Sequence, residues 1–296
     1  MESVDQQTER EITEKLITED LRKEWEKKVE KARQSQLTVK VGAKTDLGRV
    51  RENNEDKFDF LEPEDSDVLA RKGSLYAVAD GMGGHSAGQI ASELALKNVI
   101  KAYYADPLPD VAGSLKNAVA EANSLIFDTA QAITERSGMG TTVTIAVIRG
   151  HELYVAQVGD SRAYLVRDGQ IRQITEDHSW VAEQVKRGAL TEEEAESSPF
   201  RNVITRSLGT NCCVDVDVFL EELEVGDIIV LCSDGLSGLV SSEEIGQIAQ
   251  DKAPSIAAME LVDKASENGG TDNITAMVIS VREPIERKRR RRLFGG

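Results

Sequence analysis

Between residues 140 and 175 the chain passes from one β-branched run straight to the next: "GTTVTIAVIRG", "HELYVAQVGDS", "RAYLVRDGQIRQIT". Only Gly- and Asp-containing turns separate them. A parallel pair needs a crossover of a dozen or more residues, so strands this close in sequence indicate antiparallel hairpins rather than a doubly wound parallel sheet. Further short strands are expected in "LTVKVGAKTDLG", "SLYAVAD", "DIIVLCSDG" and "NITAMVISV". Helical patterns fill 85–105, 110–133, 242–250 and 254–267, with Leu94, Val99, Leu115, Val119, Leu125 and Ile126 as expected buried positions. Strand groups interleaved with helix pairs predict an α+β chain of sheets packed together and covered by helices.

Three segments are expected: an N-terminal helical extension over 1–36, one domain over 37–283, and a basic tail over 284–296. In the extension Thr8 and Glu11 have capping-box spacing, and Ile12, Leu16, Leu21, Trp25 and Val29 form a thin apolar stripe. It reads as a helix resting on the domain, or as a partner-binding arm. The tail "ERKRRRRLFGG" reads as a solvated basic block, with attraction to anionic headgroups as the weaker reading. The formal charge of -16 argues against a nucleic-acid partner. No cysteine pair has CxxC spacing, no secretory leader is visible and no apolar run is long enough to span a bilayer, so a cytoplasmic setting is expected.

Chemistry is expected where apolar runs end in an acid. Asp168-Gly169, flanked by polar residues between two strands, reads as a hairpin turn. Asp80 in "YAVADG" and Asp234 in "IVLCSDG" differ, because each follows an apolar run directly. Asp160 ends "LYVAQVGD", Asp272 opens "TDNITAMVI", and Asp56 in "RENNED" precedes Phe58. Taken singly, each is better explained by a cap or a turn than by a ligand role. As a set they are better evidence: strand ends close in space would bring several of them together, and two carboxylates about 4 Å apart repel by about 4 kcal/mol at an effective dielectric of about 20. Such a cluster needs protons or cations. An all-oxygen ligand set suits Mg2+ or Mn2+, and Gly81, lacking a Cβ, lets its carbonyl come close. No run has the ligand spacing of an EF-hand.

The motifs "VADGMGGHSAG", "GTTV", "VGDSRAYLVRDGQ", "RNVITRSLG", "LCSDGL" and "GGTDNIT" occur in this order over residues 38–282. Together they resemble the bacterial metal-dependent Ser/Thr protein phosphatases of the type 2C (PPM) family. The resemblance implies a sandwich of two mainly antiparallel β-sheets flanked by helix pairs. It implies two Mn2+ or Mg2+ ions, with Asp80 bridging them, Gly81 offering its carbonyl, and Asp234 and Asp272 on the second ion. Asp56 matches a further acid of the site, with Glu55 acting through water. Asp160, together with Asp234, matches the holder of a third ion, and Arg51 the grip on the substrate phosphate. The implied reaction is hydrolysis of phosphoserine and phosphothreonine in proteins, opposing a Ser/Thr kinase or serving one phosphorylated regulator. The contrasting reading is a non-catalytic or weakly active phosphoprotein-binding regulator, for which lost metal acids would be expected.

Met82 stands where many eukaryotic members carry a proton-donating His, and His85 is the nearest alternative donor in sequence. The polar stretch 178–206 is expected to be a mobile flap governing which phosphoprotein fits. His178, at its start, is expected either to touch substrate or to make a structural hydrogen bond.

Overall fold

The computed structural model describes residues 37–84 and 87–283. The N-terminal extension, His85 and the basic tail lie outside the described residues. One five-stranded sheet runs β1 (Thr38–Asp46), β12 (Ile274–Arg282), β11 (Ile228–Cys232), β8 (Arg162–Arg167), β9 (Gln170–Gln173). The other runs β10 (Asp217–Glu222), β7 (Glu152–Val158), β6 (Val143–Arg149), β3 (Ser74–Ala79), β2 (Lys57–Leu61). Every pairing in both is antiparallel. A two-residue pair, β4 (Gly81–Met82) with β5 (Gly140–Thr141), sits apart.

The strand β3 shows why its sequence is apolar throughout rather than alternating. Leu75, Ala77 and Ala79 face α2 (Ala87–Ala105) and α3 (Val111–Ala132), whereas Tyr76 and Val78 face the opposite sheet. Both of its faces are buried. The first sheet, the one holding β1, β12 and β11, is covered in the same way by α7 (Ser242–Asp251) and α8 (Pro254–Glu267). Helix pair, sheet, sheet, helix pair is the layering expected. Four shorter α-helices complete the set among the described residues: α1 (Ser66–Lys72), α4 (Trp180–Lys186), α5 (Glu192–Glu196) and α6 (Asp234–Ser237). No helix among the described residues is long and apolar enough to cross a membrane.

Two expectations need correction. Leu125 is 38% exposed. The buried stripe of α3 runs through Leu115, Val119, Ala122 and Ile126, and the residue next to Ile126 is turned about 100° away from it. The run 140–175 is also not an unbroken series of hairpins. β6 pairs with β7, and β8 pairs with β9 through Asp168-Gly169. Between β7 and β8, however, the chain leaves one sheet for the other. It crosses through Gly159, Asp160 and Ser161. Gly159 has φ 112°, and a Cβ there would lie 2.5 Å from Thr142, so both the backbone and the space require glycine.

Candidate active site

The strand registers bring the acids to one end of the sandwich. In the first sheet Asp46 lies opposite Ile274, and Cys232 lies opposite both Ala276 and Arg162. In the second, Lys57 lies opposite Ala79, and Val143 opposite Val158. Asp56, Asp80, Asp160, Asp234 and Asp272 therefore leave the sheets at the same edge. Asp234 is the first residue of α6, not a turn residue.

Asp56 is fully buried. Its Oδ2 accepts hydrogen bonds from Ser233 Oγ and Thr275 Oγ1, each at 2.7 Å. Its Oδ1 has no partner, and the same holds for Asp160 Oδ1 and Asp234 Oδ1. Burial pushes Asp56 up to about 7, aided by repulsion from Asp234 and Asp272 and opposed by the two hydroxyl hydrogen bonds. Burial, then Asp234, pushes Asp160 up to about 8. Burial and the charges of Asp56, Asp234 and Asp160 hold Asp80 well above the usual carboxylate range, and burial and Asp272 raise Asp234. Asp80 and Asp234 retain some solvent contact where Asp56 and Asp160 are buried, so the acid cluster forms a cleft that opens to solvent on their side. Orphaned acceptors and mutual repulsion are what an oxygen site for a hard cation looks like without its cation. No three acid, His or Cys side chains among the described residues converge on one point by themselves, so carbonyls and waters must complete any coordination shell, as Mg2+ and Mn2+ prefer.

Gly81 fits the carbonyl role by its surroundings. A Cβ on it would meet Gly88 O at 2.1 Å and Glu55 O at 2.8 Å. A Cβ on Gly88 would lie 2.2 Å from Glu55 Oε2. The two glycines thus let the 51–56 loop, β4 and the start of α2 close on one another. Arg51, more than half exposed, stands at the mouth with Nη2 2.7 Å from Asp272 Oδ2.

Sequence reasoning missed the residues that hold these groups. Asn273 accepts from Glu55 N at 2.8 Å and donates to Leu47 O at 2.9 Å and Asn53 O at 3.0 Å, fastening the loop that carries Arg51 to the segment just before β12 that carries Asp272. Asn273→Ala would strand three backbone groups at about 2 kcal/mol or more, lowering Tm by about 4–8 °C in a chain of this size. Thermal melts with and without Mn2+ check this. Thr142, Thr144 and Gln157, all fully buried, form a polar collar around the crossing. Thr142 Oγ1 lies 2.8 Å from Ser161 Oγ and accepts from Asp80 N at 3.0 Å, while Thr144 Oγ1 and Gln157 Nε2 donate to Ser161 O. The "GTTV" motif marked the place; the partners lie too far along the chain to read.

His178 turns out to be a structural residue. Its Nδ1 accepts from Gly159 N at 3.0 Å, which puts the ring proton on Nε2, 3.0 Å from Asp217 Oδ2.

A model of the family described as Protein phosphatase 2C matches residues 42–184. The Serine/threonine phosphatase stp of Listeria monocytogenes is 36% identical over 241 residues, which is 80% of this chain and 93% of that protein. The chain belongs to the protein phosphatase 2C family. The crystal structure of the Mycobacterium tuberculosis serine/threonine phosphatase PstP/Ppp superposes with a TM-score of 0.74 at 38% identity, covering 83% of this chain and 99% of that one. The catalytic domain of PstP in complex with two manganese ions gives a TM-score of 0.73 at 36% identity, covering 84% and 100%. In this phosphatase, as in its sequence, Met82 carries no proton to donate; it pairs with Gly140 through the backbone beside Asp80.

Proposed function

We propose that the cleft formed by Asp56, Asp80, Asp160, Asp234 and Asp272 is the catalytic centre of this phosphatase. Three orphaned carboxylate oxygens in one cleft are the observation that carries this reading. The chain is a metal-dependent protein-serine/threonine phosphatase. Asp80 would bridge two divalent cations with Gly81 O beside it, Asp234 and Asp272 would hold the second, Asp56 would complete the site, and Asp160 with Asp234 would take a third. Bound there, Mn2+ or Mg2+ supplies a water acidic enough to attack at neutral pH and neutralises the phosphoryl oxygens.

The protein's own residues orient the substrate. Arg51 offers a planar, permanently charged fork at the mouth, and its bond to Asp272 aims that fork over the cleft. Asn273 fixes the loop beneath it. Arg51→Ala is expected to raise KM for a phosphothreonine peptide about tenfold or more with kcat nearly unchanged, the cost of one charge-assisted hydrogen bond. Arg51→Lys should recover only part of the loss, because a point charge does not replace a fork. Steady-state kinetics with both variants decide this.

Phosphorylated proteins are the substrates, and the kinase-opposing role is part of the proposal. The exposed free thiols of Cys212 and Cys213 suit a reducing, cytoplasmic setting. The flap supports selection among phosphoproteins, since Trp180 and Phe200 meet at a tilt of 59°, with ring centroids 5.2 Å apart, on its exposed face. The deciding experiment is hydrolysis of a phosphothreonine peptide with Mn2+, with Mg2+ and with EDTA. Turnover with metal and none with EDTA supports the reading. Folded protein without turnover under any metal would make the cleft a binding site only.

A further inference from the structure

The segment 178–206 leaves the body of the protein and returns to it through a narrow neck. Backbone bonds close this neck: Trp180 N donates to Val203 O and Thr205 N to His178 O, both at 2.8 Å, with Ser179 bridged to Ile204. Side chains close it a second time, and they meet on one residue outside the segment. Asp217, the first residue of β10, has Oδ2 3.0 Å from His178 Nε2 and Oδ1 2.9 Å from Arg206 Nη1. His178 opens the segment and Arg206 closes it. Arg206 Nη1 also lies 3.1 Å from His178 Nε2 and donates to Asp215 O at 3.3 Å. Burial works against the charge on Asp217, but the hydrogen bonds from His178 and Arg206, with the charges of both, together hold it below the usual carboxylate range.

The other side of His178 reaches the cleft. Its backbone N donates to Gly159 O at 3.0 Å, and its Nδ1 accepts from Gly159 N at 3.0 Å. One histidine thus grips both polar groups of the residue before Asp160. Gly159 has no side chain to hold it and sits at φ 112°, so these two bonds, with Gln157 Nε2 on the same carbonyl at 3.1 Å, fix its direction. The bond to Asp217 selects the imidazole tautomer that leaves Nδ1 bare to accept.

We propose that Asp217 is a positioning residue: it joins both ends of the 178–206 flap and, through His178 and Gly159, sets the placement of Asp160 in the acid cleft. The metal arm of this inference rests on the reading of Asp160 as a cation ligand; the positional arm does not. Flap anchoring and the cleft are then one device, and loosening the latch loosens the ligand.

The test compares Asp217→Asn, Arg206→Lys and Asp160→Asn with the parent in the full chain. Glu221→Gln, which removes a different ion pair from the same strand, is the control. Amide hydrogen exchange is measured on metal-free protein, and Mn2+ is titrated by calorimetry and by activity. Asp217→Asn is expected to speed exchange at 178–206 and at Gly159–Ser161 by about tenfold or more, the loss expected when hydrogen bonds to a charged partner go. It should weaken Mn2+ binding about threefold to tenfold, at or just below the low end of what outer-shell partners contribute, with kcat at saturating Mn2+ retained. Arg206→Lys leaves the His178–Asp217 bond in place and should speed exchange near 203–206 alone. Faster exchange in the flap with no change at Gly159–Ser161 in Asp217→Asn would overturn the proposal. Equal effects of Arg206→Lys at Gly159 would overturn the route through His178. If Asp160→Asn leaves Mn2+ binding unchanged, the ligand reading of Asp160 fails, while exchange still decides the latch. Should Asp217→Asn not fold, His178→Gln carries the same exchange comparison.

Discussion

Asp80→Asn and Asp234→Asn are each expected to lose turnover by more than about 100-fold while melting, in EDTA at pH 8, above the parent. Altering a partner that merely orients a metal ligand typically costs about 10–100-fold, and these two carboxylates stand inside that shell in the proposed site. The stability gain has the opposite origin. In the metal-free cleft each acid is held against its preference, raised by burial and by its neighbours' charges. An amide in place of one carboxylate removes repulsion without emptying the space. Kinetics on a phosphothreonine peptide at saturating Mn2+, paired with melts in EDTA, read both effects. Near-parental rates in both variants would remove the acids from the catalytic centre.

The stabilisation conferred by Mn2+ should be small at pH 5 and large at pH 8. Asp56 at about 7 and Asp160 at about 8 lie above their ordinary value of 3.8. The folded, metal-free protein therefore binds more protons than the unfolded chain between about pH 4 and pH 8. Its stability from these groups is complete below pH 4 and is lost as pH rises through 7 and 8. A cation replaces those protons and is competed away by them at low pH. A few kcal/mol is at stake, since each tenfold change in proton affinity corresponds to about 1.4 kcal/mol, and that is about 10 °C in Tm for a chain of this size. Melting curves with Mn2+ and with EDTA from pH 5 to pH 8 give the comparison. A pH-independent gap would mean that the raised acids are not where the metal binds.

Much of this was legible from residues alone. Asp80 and Asp234 stood out because an apolar run stopped at each, and Asp168 was separable from them because its flanks were polar; the structure makes it a two-residue hairpin loop with φ 50°. The layering followed from the distribution of strands and helices. What stayed hidden was long-range. Asn273 reaches Glu55 across 218 positions and Ser233 reaches Asp56 across 177, and no local pattern encodes such partners. Periodicity announces a strand without saying which sheet it joins, so the crossing at Gly159–Ser161 could not be read. Leu125 was misplaced because the apolar stripe of α3 is one residue narrower than its composition suggests.

The crossing has a mechanical meaning for the whole molecule. Asp56 and Asp80 flank strands of one sheet, Asp234 and Asp272 flank strands of the other, and Asp160 sits in the only strand-to-strand link among β6–β9 that changes sheets. Cations held among them would rivet the two layers together at one end of the sandwich. The packing between the sheets, where Tyr76, Val155, Ile229 and Met277 meet, then sets the gauge of the ion site from a distance. A volume change in that seam would register as a change in metal affinity even though no side chain in it touches an ion.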